Sequence, residues 1–334
     1  MDVELSPMAM RWRQAAEALG ASIARDAPAH DVMRALAQAG LLAEAPDALA
    51  SVVAIEALAL QAPSAAVMLA MQATALDCPG LTPKLRAALR EGRQVAALEL
   101  SADAMPQWDA GRVTGAASWV APATPDGVAL LAARRAPTEG GSVEACLVSL
   151  ADPGVLAQPE EADGVPGLVC VTLMLSGVEA QSLGAPEPLM AGARLRMAAV
   201  GLGLGTRALA EALGAVRASG GHDAEAQTVQ GLLADAATEL DGARLLTQAV
   251  AATIPLSLAE ASAAKLASTA AAIGAVERAT QVVGIDSFRT GHVLARLARD
   301  VRALELFAGR TEALRAAVAG AILPPGLGID LQVR

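Results

Sequence analysis

The hydrophobic period of this chain changes twice along its 334 residues. In residues 7–95, and again after residue 188, apolar side chains recur three and four positions apart, which is the spacing of a helix with one buried face. In residues 95–184, short apolar runs are separated by Gly, Pro and Asp, which is typical of strands joined by turns. The order along the chain is therefore helices, a β segment and helices again.

Individual elements can be predicted from the same pattern. The predicted helices include 10–25, 29–42 and 52–75, and the predicted strands include 128–133, 143–150 and 168–175. A later helical stripe that begins at Ile273 ends at Gly284, because Gly is a common residue at helix C-caps. We predict an α+β protein, mainly α, with an N-terminal helical domain (1–95), a middle antiparallel β domain (96–187) and a C-terminal helical bundle (188–334).

Composition and charge narrow the possible functions. Apolar residues make up 54% of the chain and aromatic residues 1%, and the excess is mostly Ala, which favours helices. A net charge of -10 argues against nucleic acid or an anionic membrane as the main partner. The N-terminus lacks the pattern of a signal peptide, and the longest weakly charged stretch, residues 245–259, is too short and too polar to span a bilayer. We therefore predict a soluble protein.

The cysteines and histidines are too scattered to form an obvious site. Three cysteines lie far apart without a C-x-x-C pair, so we predict buried, reduced thiols and a cytoplasmic location: Cys78, Cys146 and Cys170. The histidines are equally dispersed, so we predict no metal site and no nucleophile triad: His30, His222 and His292.

Two short motifs have ordinary structural interpretations. The glycines of Gly201–Gly205 resemble a dinucleotide-binding loop, but the third Gly is misplaced and the preceding residues look helical. We interpret them as a close contact between helices. On pattern alone, Arg299-Asp300 with its neighbouring arginines is a solvated helix face. Trp119, like most Trp residues in β domains, is on pattern alone a core residue.

The segment from Gln281 onward carries several motifs in a fixed order. The pattern is Gln281-Val282-Val283-Gly284, then Arg299-Asp300, then Phe307-Ala308-Gly309. It resembles, without a gap, the Gln-x-x-Gly-Gly, Arg-Asp and Tyr-Glu-Gly-Thr motifs of the acyl-CoA dehydrogenase family. Weaker matches precede it at Leu100-Ser101, Gly115 to Trp119, Gly203 to Ala212 and Leu233-Ala234-Asp235. The resemblance covers nearly the whole chain.

The resemblance implies a fold and a cofactor. The fold is an N-terminal helical domain, a middle β-barrel and a C-terminal four-helix bundle. The implied cofactor is FAD, which lies between barrel and bundle with its adenosine end at a neighbouring subunit. The positions that match flavin contacts of the family are Ser101, Trp119, Gln281, Gly284 and Arg310.

The catalytic base of the family is missing. Dehydrogenation at the α and β carbons needs a carboxylate that removes the α proton, and the family places this Glu before the Gly of Tyr-Glu-Gly-Thr. This chain has Ala308 there, and it has Ala193 at the alternative position of the base in the family. Loss of a positioned base typically lowers the rate by about 10²- to 10⁴-fold. Glu305, three residues before Ala308, is a weak candidate for a substitute.

Other departures concern the flavin site. The second Gly of Gln-x-x-Gly-Gly is Ile285, and the Thr of Tyr-Glu-Gly-Thr is Arg310. The family's Arg-x-x-Phe-Gly loop, expected after Arg217, is shortened and has no Phe. The loop expected after Leu42 is also reduced. These losses predict a subunit that supports only part of a shared site.

The resemblance extends to heteromeric members of the family. Some of them, including those that act on CoA thioesters of steroid side chains, pair a short subunit without the base with a longer homologue that carries it. We therefore predict a heterotetramer that oxidises an acyl-CoA, with an electron-transfer flavoprotein or similar acceptor. Two alternatives remain open: a flavoenzyme of this fold whose reaction needs no Glu, and a non-enzymatic scaffold without FAD.

Overall fold

A computed structural model of the protein describes residues 5–44, 47–100, 105–135, 142–219 and 227–323. The first part of the chain is helical, in the order α1 Pro7–Gly20, α2 Ala29–Gln38, α3 Ala48–Ala59, α4 Pro63–Leu76 and α5 Pro83–Arg90. Side chains of Ser6, Asp47 and Thr82 cap α1, α3 and α5 by accepting a backbone N–H of the first turn. Helices α3 and α4 are buried on almost all sides, so they belong to the core.

Seven strands follow and form the middle of the chain. They are β1 Ala96–Glu99, β2 Gln107–Asp109, β3 Arg112–Val120, β4 Val128–Arg135, β5 Val143–Ser149, β6 Val155–Glu160 and β7 Cys170–Gly184. Five of them pair in a closed ring, β4-β2-β3-β7-β5 and back to β4, while β1 pairs with β4 and β6 with β7. Closure gives the predicted barrel, whose interior has its own apolar core around Leu131, Cys146 and Leu173.

The C-terminal part is a helical bundle. Its elements are α6 Glu187–Ala218, α7 Gln227–Ala251, α8 Leu258–Val283, a 3₁₀ turn Gly284–Phe288, α9 Val293–Leu304 and α10 Thr311–Ile322. Helix α6 lies at the centre and packs on α3, α4, α7, α8 and α9. By length and composition alone α6 could span a bilayer, but its apolar character matches its place in the core. The predicted α+β architecture is confirmed.

The structure corrects two predicted details. The single helix predicted over residues 52–75 is two helices, since α3 ends at Ala59 and α4 restarts at Pro63, a residue suited to the first turn. The β domain is not purely antiparallel, because β1 and β2 both pair with β4 in parallel. Periodicity describes each strand but says nothing about the direction of its partner. The three-domain division stays a prediction, with β7 ending at Gly184 and α6 beginning at Glu187.

The glycines of the apparent dinucleotide motif lie inside α6, and the prediction of close packing is confirmed. A Cβ on Gly203 would lie 2.5 Å from both Ala59 Cβ and Glu56 O, and one on Gly205 would lie 2.6 Å from Leu240 Cδ2. Contacts this short leave no room for a side chain. These two glycines therefore allow α6 to approach α3 and α7 closely.

Asp300 is buried, so the interpretation of Arg299-Asp300 as a solvated face was wrong for the Asp. Its carboxylate accepts hydrogen bonds from Arg25 at 2.6 Å and from the Val165 backbone N–H at 2.7 Å, with 1% of its surface exposed. Burial raises the pKa of Asp300, although both partners favour its charged form. Asp300 thus joins α9 to the segment after α1 and to the barrel.

Candidate active site

A small cavity lies where α4, β1, α6 and the segment after α9 meet. Its volume is about 20 Å³, which is enough for one water molecule. Apolar side chains from all four elements form most of its wall: Met71, Leu98, Leu100, Met190, Met197 and Phe307. Three of these six are methionines, whose flexible thioether chains can rearrange around a ligand.

The two positions predicted to carry the missing base both line this cavity. Ala193 faces it from α6 and Ala308 from the segment between α9 and α10. Two positions far apart in sequence therefore converge on one small space, and neither methyl group can accept a proton. Glu99 of β1 lines the same cavity and is the one ionisable side chain among its described lining residues.

The segment that carries Ala308 has an unusual backbone conformation. Ala308 has φ +56° and Gly309 has φ +108°, so both lie in the region that L-residues other than Gly rarely adopt. Such a conformation persists only where the surroundings hold it. We name Phe307, Ala308 and Gly309 the cavity loop.

Two buried cations hold the cavity loop. Arg194 of α6 donates from Nε to Ala308 O at 3.1 Å and from a terminal nitrogen to Ser262 Oγ at 2.7 Å. Lys265 of α8 donates from Nζ to Gly309 O at 2.7 Å and also to Phe307 O. All three carbonyl groups of the cavity loop are therefore hydrogen-bonded to these two side chains.

Burial disfavours the charged form of both side chains, and repulsion from Arg194 adds to this effect at Lys265. The Lys265 side chain is fully buried, and burial together with the nearby Arg194 charge lowers the pKa of Lys265 to about 7, although Glu305 and Glu99 attract its proton. Burial also lowers the pKa of Arg194 to about 10. Lys265 can thus change its charge near neutral pH, whereas an exposed lysine stays charged.

Sequence reasoning missed Arg194, Lys265 and Glu99. A signal was available for Lys265, because the chain has only two lysines and this one lies in an Ala-rich helical stretch. No signal marked Glu99, which follows apolar strand residues and reaches the cavity only through the packing of β1.

The predicted flavin-contact positions do not all come together. Ser101 lies outside the described residues. Trp119 has φ +60° and is 49% exposed, so its interpretation as a core residue was wrong. It lies in β3 and is not among the described residues that line the cavity. Arg310 directly follows the cavity loop.

Gln281 and Gly284 lie at the far end of α8. At about 1.5 Å per residue, Gln281 is roughly 24 Å along the helix from Lys265. Gly284 ends α8 with φ +68°, which confirms its predicted role as C-cap. The two exposed apolar side chains that follow, Ile285 and Phe288, are 83% and 73% exposed. This end of α8 therefore presents an apolar surface away from the cavity.

Glu305 does not reach the cavity. It lines a separate groove of about 550 Å³ between α8 and α10 and pairs with Arg302 at 3.1 Å. The structure therefore gives no support to Glu305 as a substitute base.

The cysteines are buried away from this site. All three cysteines are free and buried, as predicted, and burial raises the pKa of Cys146 to about 12 and of Cys170 to about 11. Within the described ranges, no three His, Cys, Asp or Glu side chains are grouped as a metal site.

Comparisons with known proteins agree with the fold. Residues 187–323 match the family of acyl-CoA dehydrogenase C-terminal domains. Butyryl-CoA dehydrogenase from Megasphaera elsdenii is similar with a TM-score of 0.87 at 18% identity, over 97% of this chain and 100% of that chain. Glutaryl-CoA dehydrogenase from Mycobacterium smegmatis, in complex with FADH2, is similar with a TM-score of 0.82 at 14% identity, over 98% and 96%.

A third similar structure is the flavoprotein nitroalkane oxidase, with a TM-score of 0.84 at 17% identity, over 98% of each chain. Identities this low show a common fold and leave the reaction open. No curated protein matches the sequence at a significant level.

Proposed function

This chain has the C-terminal domain of the acyl-CoA dehydrogenase family and the fold of that family throughout, and we propose that it is a flavin-containing subunit for the α,β-dehydrogenation of an acyl-CoA. We further propose that it lacks its own catalytic Glu and completes a flavin site with a longer homologous subunit. The observation that carries this proposal is that Ala193 and Ala308 line one cavity, so both family base positions are without a carboxylate.

Two of the predicted flavin-contact side chains are compatible with FAD. Trp119 offers an exposed aromatic face on β3, and Arg310 offers a cation directly after the cavity loop. Bound FAD would supply the acceptor for the hydride that leaves the β carbon. Gln281 and Gly284 are too far away to contact the same end of the cofactor, which supports a role toward a flavin of the neighbouring subunit. The neighbouring subunit would cover the exposed side chains of Ile285 and Phe288.

The size of the cavity supports placing the acyl group in the partner. A space of about 20 Å³ holds one water molecule, and the methionines would have to move before any acyl chain could enter. The cavity of this chain then serves mainly to exclude water from one side of a shared site. A steroid side chain as the acyl group, an electron-transfer flavoprotein as acceptor and a cytoplasmic location are parts of the proposal that rest on resemblance.

Co-expression tests the proposal directly. The chain is produced with a longer homologue that retains the Glu, and the purified pair is assayed for FAD absorbance and for oxidation of acyl-CoA substrates of several sizes. We expect a yellow complex that is active, and little activity from either chain alone. Ordinary dehydrogenation rates from the purified chain alone would refute dependence on a partner. A preparation that stays colourless with its partner would favour a scaffold.

Glu99 favours a second candidate function, a self-sufficient dehydrogenase that uses a relocated base. This carboxylate lines the same cavity as the two alanines. Activity of the isolated chain that is lost in Glu99→Gln, but kept in Glu179→Gln on the exposed face of β7, would support it. Equal activity of both variants would exclude Glu99 as the base.

A further inference from the structure

The cavity loop keeps its supporting contacts although the base is absent. Arg194 and Lys265 together bond all three of its carbonyl groups, and they come from two different helices. A Cβ on Gly309 would lie 3.0 Å from a terminal nitrogen of Arg194, so the loop backbone also packs tightly against the guanidinium group.

Two cations buried side by side are unfavourable unless their contacts compensate for lost hydration. Lys265 is fully buried and Arg194 is 3% exposed. Within the described part of the chain, these two side chains donate four hydrogen bonds to neutral oxygens: the three carbonyls of the cavity loop and Ser262 Oγ. Their contacts therefore favour the loop conformation that places position 308 in the cavity wall, despite its positive φ.

We propose that Arg194 and Lys265 are positioning residues that hold the cavity loop so that the side chain at position 308 faces the cavity. Position 308 is then held in the cavity wall as a site for a base, and the carboxylate of that base is absent. The first step of this proposal is that Arg194 and Lys265 hold the cavity loop, which concerns the loop alone and can be tested without flavin. The second step is the site for a base at position 308, which rests on the proposed function.

Hydrogen exchange tests the first step on the purified chain. The amide of Gly309 donates to Leu306 O, just before the cavity loop, so its exchange rate reports opening of the loop. Lys265→Met removes two hydrogen bonds to the cavity loop, so we expect the Gly309 amide to exchange faster by about tenfold or more. Lys84→Met is the matched control, because it changes the other lysine, which is exposed.

Milder variants cover the case in which Lys265→Met does not fold. Lys265→Gln keeps a neutral donor, and Ser262→Ala removes one side-chain partner of Arg194 without touching the loop. Faster exchange of the Gly309 amide in Lys265→Gln or in Ser262→Ala, with unchanged exchange in α6 and α8, supports the positioning role. Loop exchange equal to wild type in folded variants of both Arg194 and Lys265 would overturn it.

The second step predicts a gain of activity in Ala308→Glu. In the FAD-loaded complex with a partner whose own Glu is replaced by Gln, the introduced carboxylate would take the α proton, the electron pair of that C–H bond would form the C=C bond, and the β hydride would pass to FAD. We expect acyl-CoA to bleach the flavin about 10²- to 10⁴-fold faster than in the same complex without Ala308→Glu. The carboxylate also needs the methionines around the cavity to rearrange, so Met197→Ala is combined with it.

A positioning role predicts a particular kinetic pattern in this variant. Adding Lys265→Met to Ala308→Glu should lower kcat by about 10²-fold with little change in KM, because a displaced base impairs the chemical step. Adding Lys84→Met should change neither. Faster loop exchange without any gain from Ala308→Glu would support the positioning role and count against the proposed function. Equal kcat with and without Lys265→Met would overturn the positioning role.

Discussion

Replacement of Lys265 by Met should change how stability depends on pH. Lys265 has an ordinary pKa of 10.5 when the chain is unfolded and a pKa of about 7 in the folded protein. Between these values the unfolded chain binds the extra proton, so wild-type stability rises with pH across this window. Below about pH 7 the side chain is charged in both states, and the full cost of burying the charge is present.

The size of the effect follows from the difference between the two pKa values. At 1.36 kcal/mol per pH unit, the change from 10.5 to about 7 corresponds to roughly 5 kcal/mol. Lys265→Met removes this dependence but also leaves two buried carbonyls without a donor, which costs about 1–3 kcal/mol each at every pH. The variant should therefore be less stable than wild type near pH 10. As the pH falls to 7, the stability of wild type should decrease relative to that of the variant.

Urea unfolding between pH 6.5 and 10 is the assay, with the free energy of unfolding measured for wild type, Lys265→Met and Lys84→Met. Other ionisable groups contribute equally to all three, so only differences between the curves matter. We expect the Lys84→Met curve to run parallel to wild type and the Lys265→Met curve to converge with it toward neutral pH. Parallel curves for wild type and Lys265→Met, within about 1 kcal/mol, would refute the assignment of a depressed lysine pKa.

Three further measurements check other parts of the structure. Lysine labelled with ¹³C at Cε gives two signals, and the one lost in Lys265→Met belongs to Lys265. We expect that signal to titrate near pH 7, and titration near the ordinary lysine pKa of 10.5 would contradict burial of the amine. Asp300→Ala removes the acceptor for the half-buried Arg25 and the buried Val165 N–H and should lower stability by about 3 kcal/mol, while a loss below about 0.5 kcal/mol would contradict the burial of Asp300. Within α6, Gly203→Ala should destabilise the protein by about 1–3 kcal/mol, because its Cβ would clash with α3. Gly214→Ala has open space around its Cβ and should stabilise the protein by about 1 kcal/mol. Equal effects of the two variants on stability would refute the close packing of Gly203.

The order of helices, strands and helices could be predicted because hydrophobic period is a local property. Each stripe of apolar residues reports the face that one element buries, and the position of Gly284 at the end of α8 follows from backbone preference alone. The absence of a carboxylate at positions 193 and 308 was also readable, since it depends only on residue identity and spacing. The direction of strand pairing in the barrel could not be predicted, because strands with the same alternation of apolar residues can pair in parallel or antiparallel.

What surrounds position 308 depends on contacts between residues distant in sequence. Asp300 and Lys265 sit in helices whose patterns suit a charged side chain at the surface, yet both are buried, because the elements that cover them come from other parts of the chain. Glu99 reaches the cavity only because β1 packs beside α4 and α6. Local spacing specifies which face of an element is apolar, but the free energy of burying a charge depends on the partners that the tertiary fold brings to it.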